Sequence, residues 1–178
     1  MYVLTRSSKE TKKLGKEVGK ELSRGSIIAL TGELGSGKTT LIQGIGEGIG
    51  VSSMIKSPSF TIIHKYSGRI PLYHFDLYRL KDEREIIPLG YEEYFYKREG
   101  IIVVEWAEKI KNLLPAKHLK IDIQILNLSK RKISLNPQGS YYEKLVKRLL
   151  KIINGNVTLN ALLESSEKPP EPSDYADS

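Results

Sequence analysis

The stretch from 26 to 39, SIIALTGELGSGKT, restricts what this chain can fold into more than any other. Residues 26–31 form a continuous, mainly apolar run, as expected of a buried central strand. The run leads directly into Gly32-Glu33-Leu34-Gly35-Ser36-Gly37-Lys38-Thr39, which satisfies G-x-x-x-x-G-K-[ST] at every fixed position. Such a strand, turn and helix unit builds an anion cradle. Glycines let successive backbone N–H groups curl around phosphate oxygens without Cβ clashes. The helix that follows directs its positive dipole end at the same anion. Lys38 is placed to reach β- and γ-phosphates, and the Thr39 hydroxyl to ligate Mg²⁺. Beyond the loop, Gly44, Gly46, Gly48 and Gly50 each cost a helix about 1 kcal/mol relative to alanine. Either that helix is short, or its glycines admit another backbone closely.

The rest of the chain alternates between strand and helix signals. Residues 2–5 read as a short edge strand, and Ser7 with Glu10 as a capping box. Leu14, Val18 and Leu22 give the helix that follows its apolar stripe, with Gly25 as its stop. Residues 60–66 and 70–77 flank a Ser-Gly-Arg turn and predict a hairpin. Residues 82–97 predict a short helix interrupted at Pro88, and 101–104 (IIVV) a second buried strand. Residues 119–127 and 131–136 predict a second hairpin. A last amphipathic helix spans 140–153, with Tyr142, Leu145, Val146, Leu149, Leu150 and Ile153 on one face. Helices among apolar strands mean an α/β fold, and the hairpins make its sheet mixed. The expected architecture is a single P-loop NTPase-like domain with a mixed central β-sheet flanked by helices. Its expected parts are an ATPase domain over 1–137, a helical extension over 138–163 and a tail over 164–178.

At 178 residues the chain is one domain plus a little extra. It has no cysteine, which excludes disulfide partners, thiolate metal sites and cysteine nucleophiles. No run approaches the ~18 apolar residues of a membrane span, and residues 1–10 lack the apolar core of a signal peptide. A cytoplasmic protein without membrane attachment is the expectation. Glu164, Glu167, Glu171, Asp174 and Asp177 against Lys168 give the proline-rich tail a net charge of −4, so with +7 for the whole chain residues 1–163 carry +11. The tail reads as disordered. The basic body suits a phosphate-rich partner, nucleotide or RNA, or is simply a lysine-rich solvated surface.

Two acidic residues are candidates for work beside the phosphates. Ile101-Ile102-Val103-Val104 runs into Glu105, a strand-end carboxylate placed like those that hold Mg²⁺, with Glu in place of the commoner Asp. In His74-Phe75-Asp76-Leu77-Tyr78-Arg79, strand alternation puts His74, Asp76 and Tyr78 on one face. Asp76 is a candidate for a second metal contact or for orienting an attacking water, and Arg79 for neutralising developing phosphate charge. His74 and His64 are expected to pack or hydrogen-bond within the sheet. Ser57-Pro58-Ser59-Phe60-Thr61 reads, from its residues alone, as an ordinary turn.

Taken in order, ALTGELGSGKTT, SPSFT, YHFDLYRL, GYEEYF and VVEWAE resemble the TsaE (YjeE) family of small bacterial P-loop ATPases over about residues 7–136. The resemblance implies ATP phosphates on Gly35, Ser36, Gly37, Lys38, Thr39 and Thr40, and Mg²⁺ on Thr39 and Glu105. It implies a catalytic role for Lys38 and a catalytic or metal-shell role for Asp76, makes Thr61 a nucleotide-sensing switch residue, and places Trp106 on the functional surface. It sets the adenosine near Ser7–Thr11 and Lys130–Lys132, with Thr11 and Lys130 as the named contacts. It further implies an accessory ATPase, weak alone, for N6-threonylcarbamoyladenosine modification of tRNA. Its partner would be a TsaB–TsaD heterodimer, through which tRNA is met indirectly. Ala107 departs from a proline common in the family, and the helix at 140–153 is not clearly part of the shared pattern.

Other classes leave weaker traces. A small-molecule kinase would share the phosphate loop, yet 80–100 carries acidic and aromatic residues rather than an arginine-rich lid. No [NT]-K-x-D motif marks a GTPase, and no aromatic RNP strand marks an RNA-binding module.

Overall fold

A computed structural model of the chain describes residues 1–57 and 61–155. The expected tail, and Pro58, Ser59 and Phe60 of the SPSFT segment, lie outside the described residues.

The apolar run after Ser26 is β2 (Ile27–Thr31), buried along its whole length. It is flanked in parallel by β5 (Ile101–Glu105) and β6 (His118–Ile125), with β4 (Leu72–Asp76) parallel beyond β5. The two expected hairpins extend the parallel core on either side. β3 (Ile63–Tyr66) pairs antiparallel with β4, while β7 (Arg131–Gln138) pairs antiparallel with β6 and with β1 (Tyr2–Thr5). The strand order is β1-β7-β6-β2-β5-β4-β3, a mixed seven-stranded sheet.

Alternation along each strand divides the core in two. Ile28, Leu30 and Val103 face α1 (Ser8–Glu21), α2 (Lys38–Gly48) and α4 (Ser140–Gly155), packing with Leu14, Ile45 and Leu149. Ile27, Ala29 and Val104 face the other way, against Phe75, Ile86 and Phe95. That second layer is built by a 3₁₀ turn (Glu83–Leu89) that accommodates Pro88, by α3 (Tyr91–Lys97) and by a second 3₁₀ turn after β5 (Ala107–Ile110).

The glycines after the phosphate loop are explained by close approach. α2 runs for 11 residues, and a Cβ on Gly44 would stand 2.0 Å from the Lys12 carbonyl oxygen, one on Gly48 2.3 Å from that of Lys16. On the facing helix, Gly15 and Gly19 meet the Leu41 and Ile45 carbonyls at 2.2 and 2.3 Å in the same way. Two pairs of glycines at i, i+4 therefore let α1 and α2 touch backbone to backbone. Gly50 ends α2 with φ +80°, where the Gly50 and Val51 N–H groups bond back to Glu47 and Gly46.

Two local expectations are corrected. α1 stops at Glu21, not Gly25, because Leu22 turns extended and is buried in the core; Gly25 sits in the turn before β2. The capping box is shifted: the Ser7 hydroxyl accepts from the Glu10 N–H, but the Glu10 carboxylate accepts from the N–H of Arg6.

Candidate functional site

The functional residues gather where β2, β4 and β5 end. Between β2 and α2 the loop turns through Gly32, Gly35 and Gly37, all at positive φ. Its Ser36 hydroxyl is buried without a hydrogen-bond partner. Lys38 folds back along the loop, donating to the Gly32 and Glu33 carbonyls at 2.7 and 2.9 Å. Its ammonium lies 3.8 Å from the centre of the Trp106 ring. Burial pushes the Lys38 pKa below its ordinary 10.5, opposed by the charges of Glu105, Glu108, Asp76 and Glu33. An anion in the loop would favour the charged form.

Glu105 ends β5 with only 3% of its surface exposed. Its Oε1 and Oε2 accept from the Thr39 hydroxyl at 3.0 and 3.3 Å, and Oε1 lies 2.9 Å from His74 Nε2. On β4, Asp76 stands opposite Glu105. Asp76 accepts from the Ser57 hydroxyl and, at 3.0 Å, from the Tyr78 N–H. That second bond turns the chain out of the strand. Tyr78 therefore lies beyond the end of β4 rather than within the strand that alternation extended to it; it is half-exposed, on the same side as Asp76, with its ring centre 5.1 Å from that of Trp106.

These groups enclose a cavity of about 480 Å³ lined by Gly35, Gly37, Lys38, Thr39, Thr40, Ser57, Asp76, Arg79, Glu105 and Trp106. A second cavity of about 340 Å³ shares Gly35, Gly37 and Thr40 with it and reaches Ser7, Thr11, Ser36, Ser129 and Arg131. The loop thus has a carboxylate-lined side and a side lined by hydroxyls and arginine.

Among the described residues, no group of three or more His, Asp or Glu is placed to hold a metal by itself. Thr39 and Glu105 nevertheless offer adjoining oxygens beside the phosphate loop. This is a donor set for a hard cation that takes its remaining ligands from phosphate and water, as Mg²⁺ does.

Most of the residues singled out in the sequence converge here. Thr61 is exposed and lines neither cavity, although its neighbour Ile62 lines the first. Lys130 is exposed in the β6–β7 turn, and Arg131 is the basic residue that the hairpin turns onto the loop. Arg131 Nε donates to the Ser36 carbonyl at 3.0 Å and Nη2 to that of Gly35 at 3.5 Å, while Nη1 donates to the carbonyls of Asn127, Leu128 and Lys130. Sequence reasoning also missed the Ser57–Asp76 contact and the closeness of His74 to Glu105. His74 does bond within the sheet, but to the strand-end carboxylate; its spacing from Asp76 was the available signal.

Fold and site together define a P-loop nucleotide-binding α/β protein. Comparison with known proteins narrows the class. The family model described as "Threonylcarbamoyl adenosine biosynthesis protein TsaE" matches residues 5–133. The tRNA threonylcarbamoyladenosine biosynthesis protein TsaE of Bacillus subtilis (strain 168) is 40% identical over 146 residues, covering 82% of this chain and 90% of the relative. Its counterpart in Treponema pallidum (strain Nichols) is 36% identical over 135 residues, covering 76% and 99%. The crystal structure of YdiB from Bacillus subtilis superposes with a TM-score of 0.75 at 35% identity, over 85% of this chain and 95% of that one. The chain belongs to the TsaE family.

Proposed function

We propose that this protein binds ATP with Mg²⁺ and hydrolyses it in the service of N6-threonylcarbamoyladenosine modification of tRNA, weakly alone and effectively when docked on a TsaB–TsaD-type heterodimer. The names of its relatives place them in that biosynthesis. The observation that carries the hydrolase reading is the set Thr39, Glu105 and Asp76 around one cavity at the phosphate loop.

In this reading the backbone of Gly35–Thr40 and the Lys38 ammonium hold the phosphates. Thr39 and Glu105 hold Mg²⁺, which supplies charge neutralisation at the phosphates. Asp76, across the cavity, orients the attacking water. Arg79 lines the same cavity as a second positive group. Thr61 serves as a nucleotide-sensing residue at the entrance to β3. Thr11 and the basic end of the late hairpin, Lys130 with Arg131, hold the nucleoside side. Residues 1–137 act as the ATPase domain, 138–163 as an extension and 164–178 as a separate acidic tail. Contact with tRNA is indirect, and the cytoplasm is the compartment. Among the described residues no helix is long and apolar enough to cross a membrane.

Phosphate release measured with and without the heterodimer tests the chemistry. Lys38→Ala and Glu105→Ala are expected to abolish release and Asp76→Ala to reduce it severely; normal turnover in all three defeats the mechanism. Equal release of ADP and phosphate without an added acceptor separates a hydrolase from a small-molecule kinase. Multiple-turnover modification of tRNA, with and without this chain and ATP, tests the role. Equal repeated turnover without the chain refutes it.

A further inference from the structure

Glu105 has one more rotatable bond than the aspartate usual at such a strand end, so something must hold its carboxylate still. β4 and β5 run parallel with His74 opposite Val103 and Asp76 opposite Glu105. His74 and Glu105 are therefore diagonal neighbours on the sheet face toward α2. The His74 ring is fully buried, and its Nε2 meets Glu105 Oε1 at 2.9 Å. Its Nδ1 is also buried and has no partner.

The Nε2–Oε1 contact is a buried hydrogen bond that ties the ring to one oxygen of the carboxylate. An aliphatic side chain would fill this place among Leu72 and Val103 without burying two ring nitrogens, one of them unpaired. The imidazole thus contributes one directed bond, to Oε1. The other partner of that carboxylate is Thr39. Thr39 is itself a cation ligand in the reading above, so its hydroxyl is not a fixed restraint. His74 is.

We propose that His74 is a positioning residue that holds the Glu105 carboxylate facing Thr39 and so sets the affinity of the nucleotide site for its divalent cation. This rests on the nucleotide and cation reading of the site. It assigns His74 no contact with nucleotide or metal.

Two near-isosteric variants separate the directed bond from simple filling of space. Glutamine presents its amide N–H close to the position of Nε2, whereas asparagine presents one close to that of Nδ1. Full-length wild type, His74→Gln and His74→Asn are compared by electron paramagnetic resonance of Mn²⁺ bound with ADP. Affinity for a fluorescent ADP is measured in Mg²⁺ and in EDTA. His74→Asn is expected to bind the cation about tenfold more weakly, as loss of an outer-shell partner does, with nucleotide affinity in EDTA unchanged. His74→Gln is expected to stay within about threefold of wild type in both, since it keeps the bond to the ligand carboxylate.

Unchanged cation affinity in folded His74→Asn, or the same loss in both variants, overturns the proposal. If His74→Asn fails to fold by circular dichroism, folded His74→Gln decides alone: a tenfold loss there overturns the proposal, and retention supports it. Wild-type protein that binds ADP with no dependence on the cation defeats the functional reading itself, and this inference with it.

Discussion

Gly44→Ala is expected to destabilise the protein, although in an isolated helix the same change would add about 1 kcal/mol of stability. The sign reverses because of α1. The new Cβ would lie 2.0 Å from the Lys12 carbonyl oxygen and 2.9 Å from the Gly15 Cα. Carbon–oxygen contacts ordinarily begin near ~3.3 Å, so the helices must part locally by about 1.3 Å. Both obstacles are backbone, and no rotamer change relieves them. Overpacking of this kind costs about 1–3 kcal/mol, here at the upper end, which leaves a net loss of about 2 kcal/mol after the propensity gain. For a chain of this size that lowers the melting temperature by about 4–8 °C. Gly46→Ala is the matched control on the same helix. Its Cβ would meet Ile55 Cδ1 at 2.2 Å, the end of a flexible side chain that can turn away. Its net change is expected within about 1 kcal/mol of zero. Urea unfolding of both variants at constant m-value measures the difference. ADP titration should also show weaker binding by Gly44→Ala, because α1 carries Thr11 and α2 carries Thr40 on the walls of one cavity. A Gly44→Ala midpoint at or above wild type, or a larger loss in Gly46→Ala, refutes the packing argument.

Tyr142→Phe tests whether α4, which begins beyond the family match, is integral to the fold. The Tyr142 hydroxyl accepts from the Ile27 N–H at 2.7 Å, and orphaning that buried donor costs about 1–3 kcal/mol in urea unfolding. Burial raises the Tyr142 pKa above its ordinary 10.0, so the native state keeps a proton that the unfolded chain loses. Stability is therefore expected to fall as pH rises above 10.0, by a smaller slope in Tyr142→Phe; equal slopes would refute the linkage. Arg131→Ala is expected to weaken nucleotide binding about tenfold, the worth of one charge-assisted bond; full affinity in the folded variant would remove Arg131 from the site. Asp76→Asn keeps an acceptor for the Tyr78 N–H, so melting and ADP affinity should hold while phosphate release falls about a hundredfold or more. Loss of binding in parallel with turnover would instead make Asp76 a ligand of the ground state.

What was legible along the chain was what depends on neighbours in sequence. The phosphate loop, the strand before it and both hairpins follow from glycine placement, apolar runs and turn residues, all of which act within a few residues. The amphipathic α4 is readable for the same reason, whereas the break expected at Pro88 falls at Gly90: the 3₁₀ turn runs through the proline to Leu89, and Gly90 at φ +65° separates it from α3. Boundaries failed where burial overrode a local signal, as at Leu22, which leaves α1 three residues before the expected glycine. Strand alternation was carried too far at Tyr78, because the Asp76 carboxylate accepts from its N–H just past the end of β4. Lys130 and Arg131 are adjacent in sequence, and only the twist of the hairpin decides which of them reaches the loop.

The residues alone determined that the chain builds a phosphate cradle on an α/β sheet, because glycines between a buried strand and a helix permit the positive-φ turns that aim backbone N–H groups at an anion. They named Lys38, Thr39, Asp76 and Glu105 by type and spacing. Which groups meet was decided only by the sheet. The parallel pairing of β4 with β5 sets Asp76 beside Glu105 and His74 diagonal to it, and no local signal specifies which strands become neighbours. The crowding of glycines after the loop had two readings in the sequence and one in the fold, since a missing side chain has meaning only once the opposing helix is in place.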